Sequence, residues 1–178
     1  MKKFFALLLC LTLSLGRAMA EVTAPALSFT PRECYVSDTE YTYQVPQEWF
    51  DVDISEDDAA WGVIGSYENE EQTIALTVTL EESSAAITFA KLAESMAAWE
   101  GYTEVSQVMI GGKPFITYRL AEDNVDGLMY LMDDAIFEKP LLLHFDFVLT
   151  DRTDSAAVAL AAEIASTIAP PAQNEPIA

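Results

Sequence analysis

The sequence predicts an α+β domain, an antiparallel sheet covered by helices. Three observations carry this. Apolar and polar residues alternate with a period of two in segment after segment, most cleanly from Thr73 to Leu80. Short turns join these segments, among them Gly111-Gly112 and Glu138-Lys139-Pro140. Helical periodicity appears in only two places, about Phe89 to Glu100 and about Asp154 to Ile168. Strands, helix, four strands, helix is an order that belongs to the α+β class.

The chain opens with the marks of an export signal. Lys2 and Lys3 form a basic start, Phe4 to Leu15 is an apolar run, and Ala18-Met19-Ala20 places small residues where a signal peptidase reads. Residues 1–20 are therefore expected to be a signal peptide cut after Ala20, and the rest of the chain to work secreted or otherwise outside the cytoplasm. The apolar run is too short to span a bilayer, which takes roughly 20 residues, and nothing after residue 20 is long or apolar enough to cross one. Residues 21–35, with Pro25 and Pro31, read as an extended leader, 36–169 as one domain, and 170–178 as a disordered tail.

Within the domain, Tyr41 to Val45 alternates and stops at Pro46, a strand signature. Glu48-Trp49-Phe50 follows as a loop with an aromatic anchor, and residues 51–58 as an acidic loop. Trp61 to Tyr67 and Thr73 to Leu80 read as strands around the polar turn Glu68 to Glu71. Ile74, Leu76, Val78 and Leu80 share the face expected to be buried. The first helix carries Phe89, Leu92, Met96 and Trp99 on one stripe. Thr88 is its expected N-cap, Ile87 and Leu92 its hydrophobic staple, and Gly101 its stop. Glu104 to Ile110 and Lys113 to Leu120 flank the two-glycine hairpin. Leu128 to Phe137 and Leu141 to Thr150 form a second strand pair. Leu160, Ile164 and Ile168 line the last helix, which Pro170-Pro171 ends.

Charge narrows the function classes. The full chain has 9 basic and 29 acidic side chains; losing Lys2, Lys3 and Arg17 with the signal leaves 6 basic ones and a net charge of −23. Neutralising phosphates takes a basic patch, which six scattered cations do not make, so nucleic acid is excluded as a partner. Self-repulsion favours a soluble monomer whose counterparts are cations or basic protein surfaces. Cys10 leaves with the signal, and Cys34 alone cannot form an intrachain disulfide.

The element order has a familiar shape. A strand ends in Val45-Pro46 with Trp49 close behind, two strands and a helix follow, a hairpin carries Ile110-Gly111-Gly112-Lys113-Pro114 into Tyr118, and two long strands and a helix close the chain. Across about residues 36–169 this resembles the Mog1/PsbP-like superfamily, including DcrB-like bacterial envelope proteins. The resemblance implies an α/β/α sandwich around a curved antiparallel sheet. It implies a binding or assembly factor rather than an enzyme, and it transfers no site residues, because fold does not give function.

Few residues offer chemistry. His144, the only histidine, shares a strand face with Leu142 and Asp146, so His144 and Asp146 could pair as a base and its orienting carboxylate. The plainer reading is a sheet histidine satisfied by its neighbours. A cysteine nucleophile could only be Cys34 with His144. No G-x-S-x-G, P-loop, H-E-x-x-H or C-x-x-C motif is present. Glu122, Asn124, Asp126, Gly127 and Asp133 fall at calcium-loop offsets 1, 3, 5, 6 and 12, making Glu122, Asn124, Asp126 and Asp133 metal candidates. Against this, a polar hairpin loop with Asn124 and Gly127 as turn formers explains the same residues. Asp51, Asp53, Asp57 and Asp58 lack a turn-making glycine and read as solvated. Trp49, Trp61, Tyr118 and Tyr130 could line a cleft, or simply pack.

The expected function is thus a secreted, non-catalytic binding or assembly module of the bacterial cell envelope, with no cofactor and with an envelope protein or itself as partner. The alternatives are a calcium-responsive extracellular domain and a carboxylate-based hydrolase.

Overall fold

The computed structural model describes residues 20–22 (backbone only), 27–83, 87–132 and 137–170. Strands β1 (Ala20–Val22), β4 (Phe50–Asp51), β5 (Val63–Glu68), β6 (Ile74–Glu82), β7 (Tyr102–Ile110), β8 (Lys113–Leu120), β9 (Val125–Met132) and β10 (Leu141–Leu149) form an eight-stranded sheet in the order β1-β7-β8-β9-β10-β6-β5-β4. All neighbours are antiparallel except β1, which runs parallel to β7. A two-stranded ribbon, β2 (Pro31–Tyr35) with β3 (Thr42–Pro46), packs on one face beside α3 (Ser155–Ser166). Helix α2 (Phe89–Met96) covers part of the other face, and a short α1 (Glu56–Ala60) follows β4.

Alternation decides the layers. On the inner face Leu76, Val78, Phe115, Leu143, Phe145 and Phe147 pack with Tyr43, Val45, Ile164 and Ile168 in the principal core. On the outer face Leu92, Ala93 and Met96 of α2 pack with Ile116, Tyr118, Met129 and Leu142. Helix-dressed sheet faces on both sides make the expected α/β/α sandwich. The predicted cap holds, Thr88 accepting from the Lys91 amide, and α3 has its own cap in Asp154, which accepts from the Ala156 amide. Gly111 and Gly112 both take positive φ, as a tight primed hairpin turn requires.

Several boundaries move. The leader is not merely extended: its residues 31–35 are β2, paired to β3 from Pro31–Pro46 to Tyr35–Thr42. The acidic loop 51–58 contains the start of α1, because Ser55 caps the Asp58 amide and three acids occupy the favourable first turn. Trp61 ends that helix instead of starting a strand. The stripe of α2 ends at Met96, and Trp99 lies beyond it on a turn, edge-on to Tyr102. The strand expected from Leu128 begins at Val125.

Three polar contacts fasten the last helix. Buried Glu163 accepts from both the amide and the hydroxyl of Ser28 at 3.0 and 2.7 Å. Lys113 donates to the Ser166 carbonyl at 2.6 Å, a cation at a helix C-terminus. Beyond the helix, Ala169 and Thr42 exchange backbone hydrogen bonds.

Candidate functional site

Two features offer chemistry, one on each face of the sheet. On the outer face, β8, β9 and β10 place Tyr118, Gly127 and Asp146 side by side in register. The Tyr118 hydroxyl reaches across Gly127 and donates to Asp146 Oδ1 at 2.5 Å while lying 2.9 Å from His144 Nδ1. That hydroxyl has one proton, which it gives to the carboxylate, so Nδ1 must be the protonated ring nitrogen and donate in turn. His144 Nε2 is then an acceptor, buried without a hydrogen-bond partner among the described residues and 3.8 Å from Glu81 Oε2. Burial lowers the His144 pKa to about 4. Burial raises that of Asp146 to about 6, opposed by the Tyr118 hydrogen bond. Burial, then the Asp146 charge, lifts Tyr118 well above the usual phenol value. At neutral pH the cluster holds a neutral imidazole, a carboxylate and a phenol.

The expected pairing of His144 with Asp146 therefore runs through Tyr118. A general base must reach its substrate, and His144 is only 7% exposed, with Nδ1 committed to the tyrosine. The geometry is that of an internal brace between strands.

On the inner side, a half-open cavity of about 710 Å3 lies between α3 and strands β7 to β10. Val108, Ile110, Leu128, Phe147, Val158 and Ala162 give it an apolar wall. It exists because α3 is built largely of alanine: Ala159, Ala161 and Ala162 present methyl groups to it. Its rim is ionic. Arg152 grips Asp126 through Nε and Nη2, at 2.8 and 2.6 Å, and reaches Glu104 at 3.2 Å. Arg119 approaches the same Asp126 at 3.1 Å and Asn124 at 2.9 Å. The Asp126 hydrogen bond holds the Arg152 pKa above its ordinary value. Glu104 is positioned by a register shift in β7 between Thr103 and Ser106, where its own φ is +52°.

The metal candidates are not gathered into a loop. Glu122 and Asn124 lie on a turn, whereas Asp126 is already in extended β9 and is claimed by two arginines. Gly127 is a strand residue, not a turn former. Asp133 lies outside the described residues. Ligands at such offsets must wrap around the ion, and a strand rising about 3.3 Å per residue carries them apart. Among the described residues no group of three or more His, Cys, Asp or Glu could hold a metal ion.

The other candidates are dispersed too. Asp51 pairs with Arg32 through two hydrogen bonds, and Asp58 accepts from Ser55 Oγ. Cys34 packs against the inner core and His144 faces outward, so the sheet separates them. Trp49 is core, Trp61 is solvent-exposed, and Tyr130 packs at a tilt against Phe115; of these four only Tyr118 touches the cavity. Of the signal residues, Ala18 lies outside the described residues and Ala20 begins β1 beside Val108.

Sequence reasoning missed Arg119, Arg152 and Glu104. One signal pointed to the arginines: with so few cations among so many acids, each is expected to gather several carboxylates.

No protein-family model and no curated protein sequence matches the chain. Among solved structures it is similar to cyanobacterial PsbP (CyanoP) from Synechocystis sp. PCC 6803, with a TM-score of 0.54 and 16% identity, covering 79% of this chain and 92% of that one. At that identity the likeness is one of fold, and it agrees with the layered antiparallel sheet described above: the chain has a PsbP-like α+β fold.

Proposed function

We propose that this protein is an extracytoplasmic, non-catalytic binding module of the bacterial cell envelope, exported by residues 1–20 and related in role to DcrB-like envelope proteins. The observation that carries the reading is the cavity beneath α3. Ligand sites are typically concave, largely apolar and about 300–1,000 Å3 in volume, with few polar groups, and this one has that character. Its rim charges neutralise each other, leaving Arg152 and Asp126 to shape the opening rather than react. An apolar ligand or an apolar segment of a partner suits such a site.

The test uses the fluorescent apolar probe N-phenyl-1-naphthylamine. Saturable binding to the purified protein, weakened at least about tenfold in Ala162→Phe, supports the site; about 1.4 kcal/mol corresponds to that ratio. No saturable binding, or equal binding by the filled variant, removes it. N-terminal sequencing of the exported protein tests the compartment, the expected first residue being Glu21.

A further inference from the structure

We infer that the uncovered part of the outer sheet face, toward the β4 edge, is a docking surface for a basic protein segment bearing apolar side chains. This goes beyond the cavity reading and lies on the opposite side of the sheet.

The strand registers place the surface. Phe50, Glu68, Ala75 and Val148 stand opposite one another in a single row across β4, β5, β6 and β10. The next row on the same face contains Ser66, Thr77 and Asp146. The Val52 amide donates to Ser66 O at 2.9 Å, so Val52 extends that row beyond β4. Helix α2 dresses the face over Ile116, Tyr118, Met129 and Leu142; in the two rows Phe50 and Val148 are exposed, Glu68, Ala75, Ser66 and Thr77 are half-buried, and Asp146 is turned into the brace with Tyr118. The result is apolar exposure: Phe50 is 58% and Val148 40% exposed at the two ends of the first row, with Glu68 and Ala75 between them, and Val52 is exposed at the edge of the next row. Trp61, on the connection that returns from this edge to β5, is 83% exposed. Scattered apolar residues are ordinary; Phe50, Val52 and Val148 share one sheet face, two of them in a single row.

The segment is held in place rather than loose. Arg32 fixes Asp51 by paired hydrogen bonds on the far side of β4, and Ser55 caps α1. A preset surface loses less entropy on binding.

Charge selects the occupant. From residue 47 to residue 83 the chain has eleven acidic side chains and no lysine, arginine or histidine. Of the cations flanking this stretch, Arg32 is engaged by Asp51, Lys139 by Glu82, and Lys91 stands exposed on α2. A second copy would bring the same acids face to face, and an anionic lipid surface would be repelled. A cationic segment whose apolar side chains cover Phe50, Val52 and Val148 matches both the potential and the rows.

The test uses defined peptides with the purified protein. Acetyl-Lys-Leu-Lys-Val-Lys-Leu-Lys-amide is the probe, the same peptide with serine at the apolar positions is the charge-only control, and binding is read by anisotropy. The expected result is saturable, salt-sensitive binding of the first peptide with a blue shift of tryptophan emission that Trp61→Phe abolishes. In Phe50→Ser/Val148→Ser, exposed changes that leave the core intact, affinity falls at least about tenfold, while Val158→Ser on the cavity side leaves it unchanged. Three outcomes overturn the inference: no saturable binding, equal affinity for the serine peptide, or equal affinity of the double variant. Dimers abolished by Phe50→Ser would instead assign the face to a second copy. Ala162→Phe should not affect peptide binding, so this surface and the cavity stand or fall separately.

Discussion

The Tyr118 ring lies over Gly127, its cross-strand neighbour, in the space where any other residue would place its Cβ. Gly127 has ordinary strand geometry, so its role is room rather than backbone freedom. That room lets a tyrosine on β8 reach Asp146 and His144, two strands away on β10.

Gly127→Ala should therefore destabilise the protein by overpacking, by about 1–3 kcal/mol, lowering the melting temperature by several degrees. Adding Tyr118→Ala restores the space, so the double variant should lose less than the sum of the two single losses. Thermal unfolding of all four proteins measures the coupling. Additive losses would show that the ring and the glycine are independent.

The brace predicts opposite pH signatures from two neighbours. Folding raises the Asp146 pKa from 3.8 to about 6, so its contribution favours the fold at low pH and is lost as pH rises toward 6. Folding lowers the His144 pKa from 6.5 to about 4, so its contribution is present above 6.5 and is lost as pH falls toward 4. Each is on the order of 3 kcal/mol across its window, and in the parent they nearly cancel. Relative to the parent, the melting temperature of Asp146→Asn should rise from pH 4 to 6, and that of His144→Gln should fall. Taking differences removes the titration of the other acids. Parallel curves for either variant would contradict the assignment.

Glu163 is 5% exposed and accepts two hydrogen bonds from Ser28, across 135 positions of sequence. Glu163→Ala should cost about 1–3 kcal/mol, because the Ser28 donors lose their acceptor. Hydrogen exchange at the Ser28 amide should quicken more than exchange within β10. Uniform loss of protection would point to a global effect instead.

Tyr43 and Tyr67 share a hydrogen bond of 2.7 Å between buried hydroxyls, packed against Gly65. Burial raises both phenol pKa values, so neither ionises in the neutral range. Tyr43→Phe should cost about 1 kcal/mol by leaving the Tyr67 hydroxyl without this partner. Tyr43→Phe/Tyr67→Phe should cost less than the two single changes together. A denaturant cycle reads the difference, and strict additivity would refute a working bond.

The sequence alone determined the class and most elements of the fold. Strand alternation at Thr73 to Leu80, the glycine hairpin at 111–112 and the cap Thr88 are local patterns, and local geometry enforces them. It also determined the charge, because that is a sum over residues with no fold in it. The boundaries that moved were set by pairing. Pro31 to Tyr35 became a strand because β3 offered it a partner, and Val125 to Leu128 because β8 and β10 lay on either side. What only the tertiary structure decided was juxtaposition: the hydroxyl placed between His144 and Asp146, the two arginines on Asp126, the cavity left by alanines against the sheet, and Phe50 and Val148 exposed in one row beyond α2. Each depends on strand order and register, which bring together residues tens of positions apart, and no spacing along the chain encodes that contact.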